Sequence, residues 1–190
     1  MVVEAPRRYH ISADQLDKMV VAGIIEEGAP VELLEGELVE MPSQGLPHVN
    51  CVRRLNGLVH VAGIEPGTAL VQSSLRTAWD SQPEPDLVLL RPPASQYDAR
   101  RAGPEDVLLL VEVAHSSRDY DRRRKVPHFA RVGIAEVWLV DLDAEVIRVY
   151  RDPVRGAYRF QTIAVRGATV TAELFPSLNV EVDQILGPTA

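Results

Sequence analysis

The sequence predicts an α/β fold built around a mixed sheet, and three observations carry that prediction. The run Val107–Ala114 is apolar at every position but one, too continuously for a strand with one wet face, so it reads as a central strand buried on both sides. A helical stretch from about 118 to 132, closed by Gly133, separates it from a second core strand over 136–142. Beyond that, 146–151 and 158–163 alternate as antiparallel strands.

The remaining elements follow in order. Ser12 with Gln15 three residues later forms a capping box, and Leu16, Met19 and Val20 recur at helical spacing, so a short first helix is expected over 13–22, stopping near Gly23. Val31 to Met41 reads as a β-hairpin whose Glu35-Gly36 turn needs positive φ. A two-residue loop sets Leu34 opposite Glu37 and Glu32 opposite Val39, which puts Glu32 and Glu37 on one face. Pro47 opens a second helix carrying Val52, Leu55 and Val59 as an apolar stripe to about Gly63. A strand-like run covers 69–79, and a short apolar strand, 87–90, follows the Pro85-Asp86 step. The Pro-, Ser- and Gly-rich stretch 92–104 is a loop, and short strands or turns are expected around Val170 and Val180.

A chain of 190 residues, 46% hydrophobic, suggests one domain with a central sheet and covering helices. Its apolar stretches fall short of the roughly 18 residues that span a bilayer, and the N-terminus lacks the apolar core of a signal peptide. The expectation is a soluble, cytoplasmic protein with no membrane partner. A lone cysteine, Cys51, can make neither an internal disulfide nor a thiolate metal site and is expected to be a small buried hydrophobe. The net charge of −7 excludes a generally basic nucleic-acid coat, so any DNA contact must come from a local patch. One exists: Arg118, Arg122, Arg123, Arg124 and Lys125 fall within eight residues.

Glu112 is the most informative residue. A carboxylate inside a buried apolar strand costs several kcal/mol unless a cation, a metal or hydrogen bonds compensate. An arginine ion pair, or a strand end open to solvent, is the structural alternative. Asp86 opens the preceding strand, where it could simply close a turn. Two carboxylates on adjacent core strands can instead converge on one divalent cation, with the Val113 carbonyl as a third hard ligand selecting Mg2+ or Mn2+. Lys125, one of only two lysines among twenty basic residues, places a compact ammonium on the following helix. It could stabilise a phosphoryl transition state, or form a solvent-facing pair with Asp121 worth about 0.3 to 0.5 kcal/mol. Arg118 and Arg122 to Arg124 suit phosphate contacts or a solvated helix face. Ser116 or Ser117 is expected to cap the helix. No Gly-x-Ser-x-Gly elbow supports a serine hydrolase, and the five histidines lack zinc spacings. His48 alone is kept as a phosphate contact.

The hairpin 31–41, the Pro85-Asp86 step, the segment Val111-Glu-Val-Ala-His-Ser-Ser117, the stretch Asp121 to Lys125 and Gly133-Ile-Ala-Glu-Val-Trp-Leu-Val-Asp141 together resemble the Uma family of restriction-endonuclease-like proteins, in order, from about residue 10 to 185. That family is similar to the PD-(D/E)xK nuclease superfamily. The resemblance implies a restriction-endonuclease-like α/β/α core with a four-stranded mixed sheet and a magnesium site. By position it implies metal-binding roles for Asp86 and Glu112, the catalytic lysine at Lys125, and a further acid at Glu32 or Glu37. Asp121, Glu136 and Asp141 match family positions and are expected to be structural. Two residues after Glu112, where the superfamily carries its lysine, stands Ala114, so the lysine has moved to the helix. Pro127 should kink that helix or remove one of its hydrogen bonds, at about 3 kcal/mol.

The expected function is a metal-dependent DNA endonuclease hydrolysing phosphodiester bonds, acting as a homo-oligomer, a dimer, because cutting both strands needs two sites. The alternative is a catalytically inactive DNA-binding or assembly module on the same fold.

Overall fold

The computed structural model describes residues 8–115 and 117–188. Its elements are α1 (Ala13–Val21), β1 (Val31–Leu34), β2 (Glu37–Glu40), α2 (Leu46–Val61), β3 (Ala69–Val71), β4 (Leu87–Leu90), β5 (Val107–Ala114) and α3 (Arg118–Tyr120). A π-helical turn (Asp121–Lys125) leads into α4 (Val126–Arg131). Then come β6 (Glu136–Asp141), β7 (Val146–Val154), β8 (Ala157–Val165), β9 (Thr169–Thr171), β10 (Asn179–Glu181) and α5 (Val182–Leu186).

Six strands form one sheet in the order β3-β4-β5-β6-β7-β8. Only β5 and β6 run parallel, joined by the α3–α4 crossover; every other neighbour is antiparallel. The sheet is therefore mixed, as expected, and β5 is buried along its whole length. Because successive side chains alternate between faces, Leu109, Val111 and Val113 join the core under α2, together with Cys51, Leu55 and Trp138. Leu110 and Ala114 join the opposite core with Val126, Phe129 and Ala130 of α4. Glu112 has the parity of Leu110 and Ala114, and so faces the crossover helices.

α1 starts with the predicted capping box: the Ser12 side chain accepts from the Gln15 N–H at 3.2 Å, and Gln15 Oε1 accepts from the Ser12 N–H at 2.8 Å. The hairpin has the predicted register, Leu34 opposite Glu37 and Glu32 opposite Val39. Its turn has φ of 53° at Glu35 and 78° at Gly36, the pair of left-handed residues that a two-residue loop requires. A bridge between Leu33 and Gln82 hangs the hairpin on the segment before β4.

Four expectations need correction. The run 69–79 is a strand only over Ala69–Val71, because Gln72 adopts φ of 46° and turns the chain out of the extended conformation. The stretch 118–131 carries a π turn where a regular α-helix was expected, but it stays helical through Pro127. The π turn ends immediately before it, with the Val126 N–H donating to the Asp121 carbonyl five residues back, and Pro127 falls in the first turn of α4, where a missing N–H costs little. At the C-terminus, α5 follows β10 where only strands or turns were expected. Ser116 lies outside the described residues; Ser117 makes no side-chain cap and instead donates its hydroxyl to Asp121 Oδ2 at 2.6 Å.

Candidate active site

The antiparallel register of β4 and β5 pairs Leu87 with Val111. Continued by one residue, it sets Asp86 across from Glu112, so the two carboxylates predicted from the sequence come from adjacent positions at one end of the sheet. The ladder does not continue as backbone pairing there. The Val113 N–H donates to Asp86 Oδ2 at 2.8 Å, so the side chain takes the place of a strand partner. The N–H and C=O of one strand residue point to the same edge, which leaves the Val113 carbonyl on the β4 side, beside Asp86. His48, one turn into α2, brings Nε2 to 3.1 Å from the same Oδ2. It is a partner of Asp86, where the sequence suggested a phosphate contact.

Lys125 is almost wholly buried, and its Nζ donates to Glu32 Oε1 at 2.9 Å and to Glu112 Oε1 at 3.1 Å. The cation that offsets the buried Glu112 is thus this ammonium and not an arginine. Asp121 Oδ1 stands 4.0 Å from Nζ, and Asp121 is buried too. The i,i+4 pair exists, but it faces inward and not toward solvent.

Asp86, Glu112, Val113, Lys125, Glu32, Asp121 and His48 line one cleft of about 480 Å³. With Glu84, five carboxylates line it against one ammonium. Burial raises Glu112 well above the usual carboxylate range, and the nearby Asp121, Asp86 and Glu32 add to the rise against the pull of Lys125. Burial likewise pushes Glu32 and Asp121 up. Desolvation alone would lower Lys125, but Glu112, Glu32 and Asp121 together hold it above its ordinary range, so it stays charged. The cleft is short of positive charge, and Asp86, Glu112 and the Val113 carbonyl present hard oxygens to it. Among the described residues no group of three or more His, Cys, Asp and Glu side chains is placed to hold a metal. Mg2+ keeps several waters and takes only one or two carboxylates, a ligand set that Asp86, Glu112 and the Val113 carbonyl could offer.

The other predicted residues do not enter the cleft. Glu37 shares the hairpin face with Glu32 but pairs with Arg124 at 3.2 Å and with Arg8. Arg124 also lies 3.5 Å from Glu35, so its guanidinium is committed to the hairpin. Arg118 is 4.0 Å from Asp141, while Arg122 and Arg123 are exposed. Glu136 is structural, as expected: it accepts from the Trp138 ring N–H at 2.6 Å and from Arg151 at 2.7 Å. Asp141 is structural too, accepting from the Ala144 N–H at 3.0 Å. His128 is buried against Thr77, 2.7 Å away, and burial pushes its pKa down to about 4.

Two further residues line the cleft. Asp121, expected from the sequence to be structural, stands there beside Lys125. Gln72, whose Nε2 lies 3.3 Å from Asp86 Oδ1, carried no signal, since nothing in its neighbourhood announces a left-handed glutamine.

The sequence matches, over residues 13–183, the Uma2 family, described as "Putative restriction endonuclease". Among solved structures, the chain is similar to a "putative nuclease belonging to DUF820" from Anabaena variabilis ATCC 29413. The TM-score is 0.66 at 20% identity, covering 93% of this chain and 97% of that one, a likeness of fold. No curated protein matches it. No helix among the described residues is long and apolar enough to cross a membrane.

Proposed function

Because the chain belongs to the Uma2 restriction-endonuclease family, we propose that it is a nuclease that hydrolyses phosphodiester bonds of DNA with Mg2+ or Mn2+. One observation carries this reading. A buried lysine is held between Glu112 and Glu32 in the same cleft as Asp86, an arrangement whose surplus of carboxylates calls for a further cation. A structural ion pair alone would need only one acid.

Asp86, Glu112 and the Val113 carbonyl would hold the ion. When bound, a divalent cation acidifies a water and neutralises charge developing on a phosphate. The chain's own residues do the positioning. The Val113 N–H and His48 hold Asp86 Oδ2. Lys125 keeps its proton at Nζ and presents positive charge to the transition state, while Glu32 and Asp121 fix where that ammonium sits. Arg118, Arg122 and Arg123 are the residues available for phosphates outside the cleft; Arg124 and Glu37 hold each other.

A DNA-binding or assembly module without catalysis is the second reading. It is favoured by the net charge of −7 and by the absence of every arginine of the 118–124 run from the cleft lining. Titrating Mg2+ and Mn2+ against plasmid and single-stranded DNA separates the two. The expected result is cleavage that disappears in Glu112→Gln while DNA binding survives. Equal nicking by variant and wild type, or binding without cleavage at any metal concentration, would defeat the enzymatic reading. Failure to bind nucleic acid at low salt would defeat both.

A further inference from the structure

Asp86 is held from a side that the cation-site reading does not use. β3 pairs antiparallel with β4, Val71 opposite Leu87, so the next position sets Gln72 opposite Asp86. With Glu112 opposite Asp86 on the other flank, Gln72, Asp86 and Glu112 form one row across the ends of three strands. The Gln72 N–H donates to the Asp86 carbonyl at 3.2 Å, extending the ladder by one bond. Its side chain then turns back. Nε2 donates to Asp86 Oδ1 at 3.3 Å and to Gln44 Oε1 at 2.7 Å, which ties the segment before α2, part of the cleft rim, to the carboxylate. Both acceptors are oxygens, so the amide can only be oriented with its NH2 toward them.

The backbone conformation makes this arrangement informative. Gln72 stands at φ of 46°, a region that glycine enters freely and a residue with a Cβ enters rarely. Were its task only to end β3, glycine would do it without strain. A strained position that carries a side chain reaching a charged group is the pattern of a site residue. Val113 and His48 hold Oδ2 of Asp86 and Gln72 holds Oδ1, so the carboxylate is gripped at both oxygens.

We infer that Gln72 is a positioning residue of the cation site, orienting the Asp86 carboxylate and fixing the Gln44 rim against it. This rests on the proposed function. Outer partners of metal-binding carboxylates typically contribute 10- to 100-fold to metal affinity, and one exposed amide belongs at the lower end, about tenfold.

The test is Gln72→Gly and Gln72→Asn, each measured for Mn2+ affinity by calorimetry and for thermal stability without metal. Glycine relieves the backbone, and asparagine tolerates the left-handed region while being one methylene too short to reach Oδ1. The expected result is that both variants melt at or above the wild-type temperature and bind Mn2+ about tenfold more weakly. Wild-type Mn2+ affinity in Gln72→Gly would overturn the inference and leave the proposed function standing. A wild type that binds no Mn2+ would overturn both. A lowered melting temperature with unchanged Mn2+ affinity would make Gln72 a structural residue only.

Discussion

Lys125 holds together groups that would otherwise repel. Glu32, Glu112 and Asp121 are buried around it, so removing the ammonium leaves acids without a counterion, a change that costs about 3 to 5 kcal/mol when a buried pair is broken. Lys125→Met should therefore lose roughly that much stability in urea denaturation, and adding Glu32→Gln should recover part of it. A loss under about 1 kcal/mol would mean that the carboxylates do not depend on the lysine. How much of this was legible follows from the kind of residue. Glu112 stood out because a carboxylate inside a buried strand must be compensated, whatever the fold. Its compensator was not legible, since an arginine and a lysine satisfy the same demand and only the helix phase chooses between them. Asp121 could be paired with Lys125 from spacing, but spacing does not say whether the shared face looks inward. Gln72 depends on one backbone dihedral and could not have been read at all.

Among the elements, the crossover between β5 and β6 departs most from expectation. A proline in a helix interior removes a hydrogen bond and clashes with the preceding turn, which predicts a kink at Pro127. The wider turn Asp121–Lys125 ends just ahead of it, and α4 starts where proline is tolerated. Pro127→Ala should consequently lower stability by about 0.5 to 1 kcal/mol, through the greater freedom of the unfolded chain. A gain of 2 kcal/mol or more, again by urea denaturation, would show that the proline strains the helix after all. Strands β4 and β5 were legible to the residue because burial on both faces writes a continuous apolar run bounded by polar residues. β3 was overextended for the converse reason. The apolar and β-branched pattern persists to Trp79, while the chain leaves the sheet at a dihedral that the pattern does not encode.

At the scale of the molecule, charge sets the terms of any encounter with DNA. A net charge of −7 repels a polyanion, and with Arg124 bound to Glu35 and Glu37, the run 118–124 offers Arg118, Arg122 and Arg123. Three phosphate contacts predict a slope of roughly −2.7 for log affinity against log salt on duplex DNA. Substituting all three by alanine should bring the slope near zero; an unchanged slope would place the DNA on another surface. The mixed topology was predictable because strands, helix and strands follow one another with distinct periodicities. The opening of the cleft at the β4–β5 end was not, since it depends on strand order. That order has a further consequence. Lys125 and its partner Glu32 lie 93 residues apart in the chain, with Asp86, just before β4, and Glu112, on β5, between them. No short fragment contains the constellation, and a nascent polypeptide still lacking its crossover has an incomplete one. Limited proteolysis within that span should disarm the protein, and ion binding then reports whether the chain has finished folding.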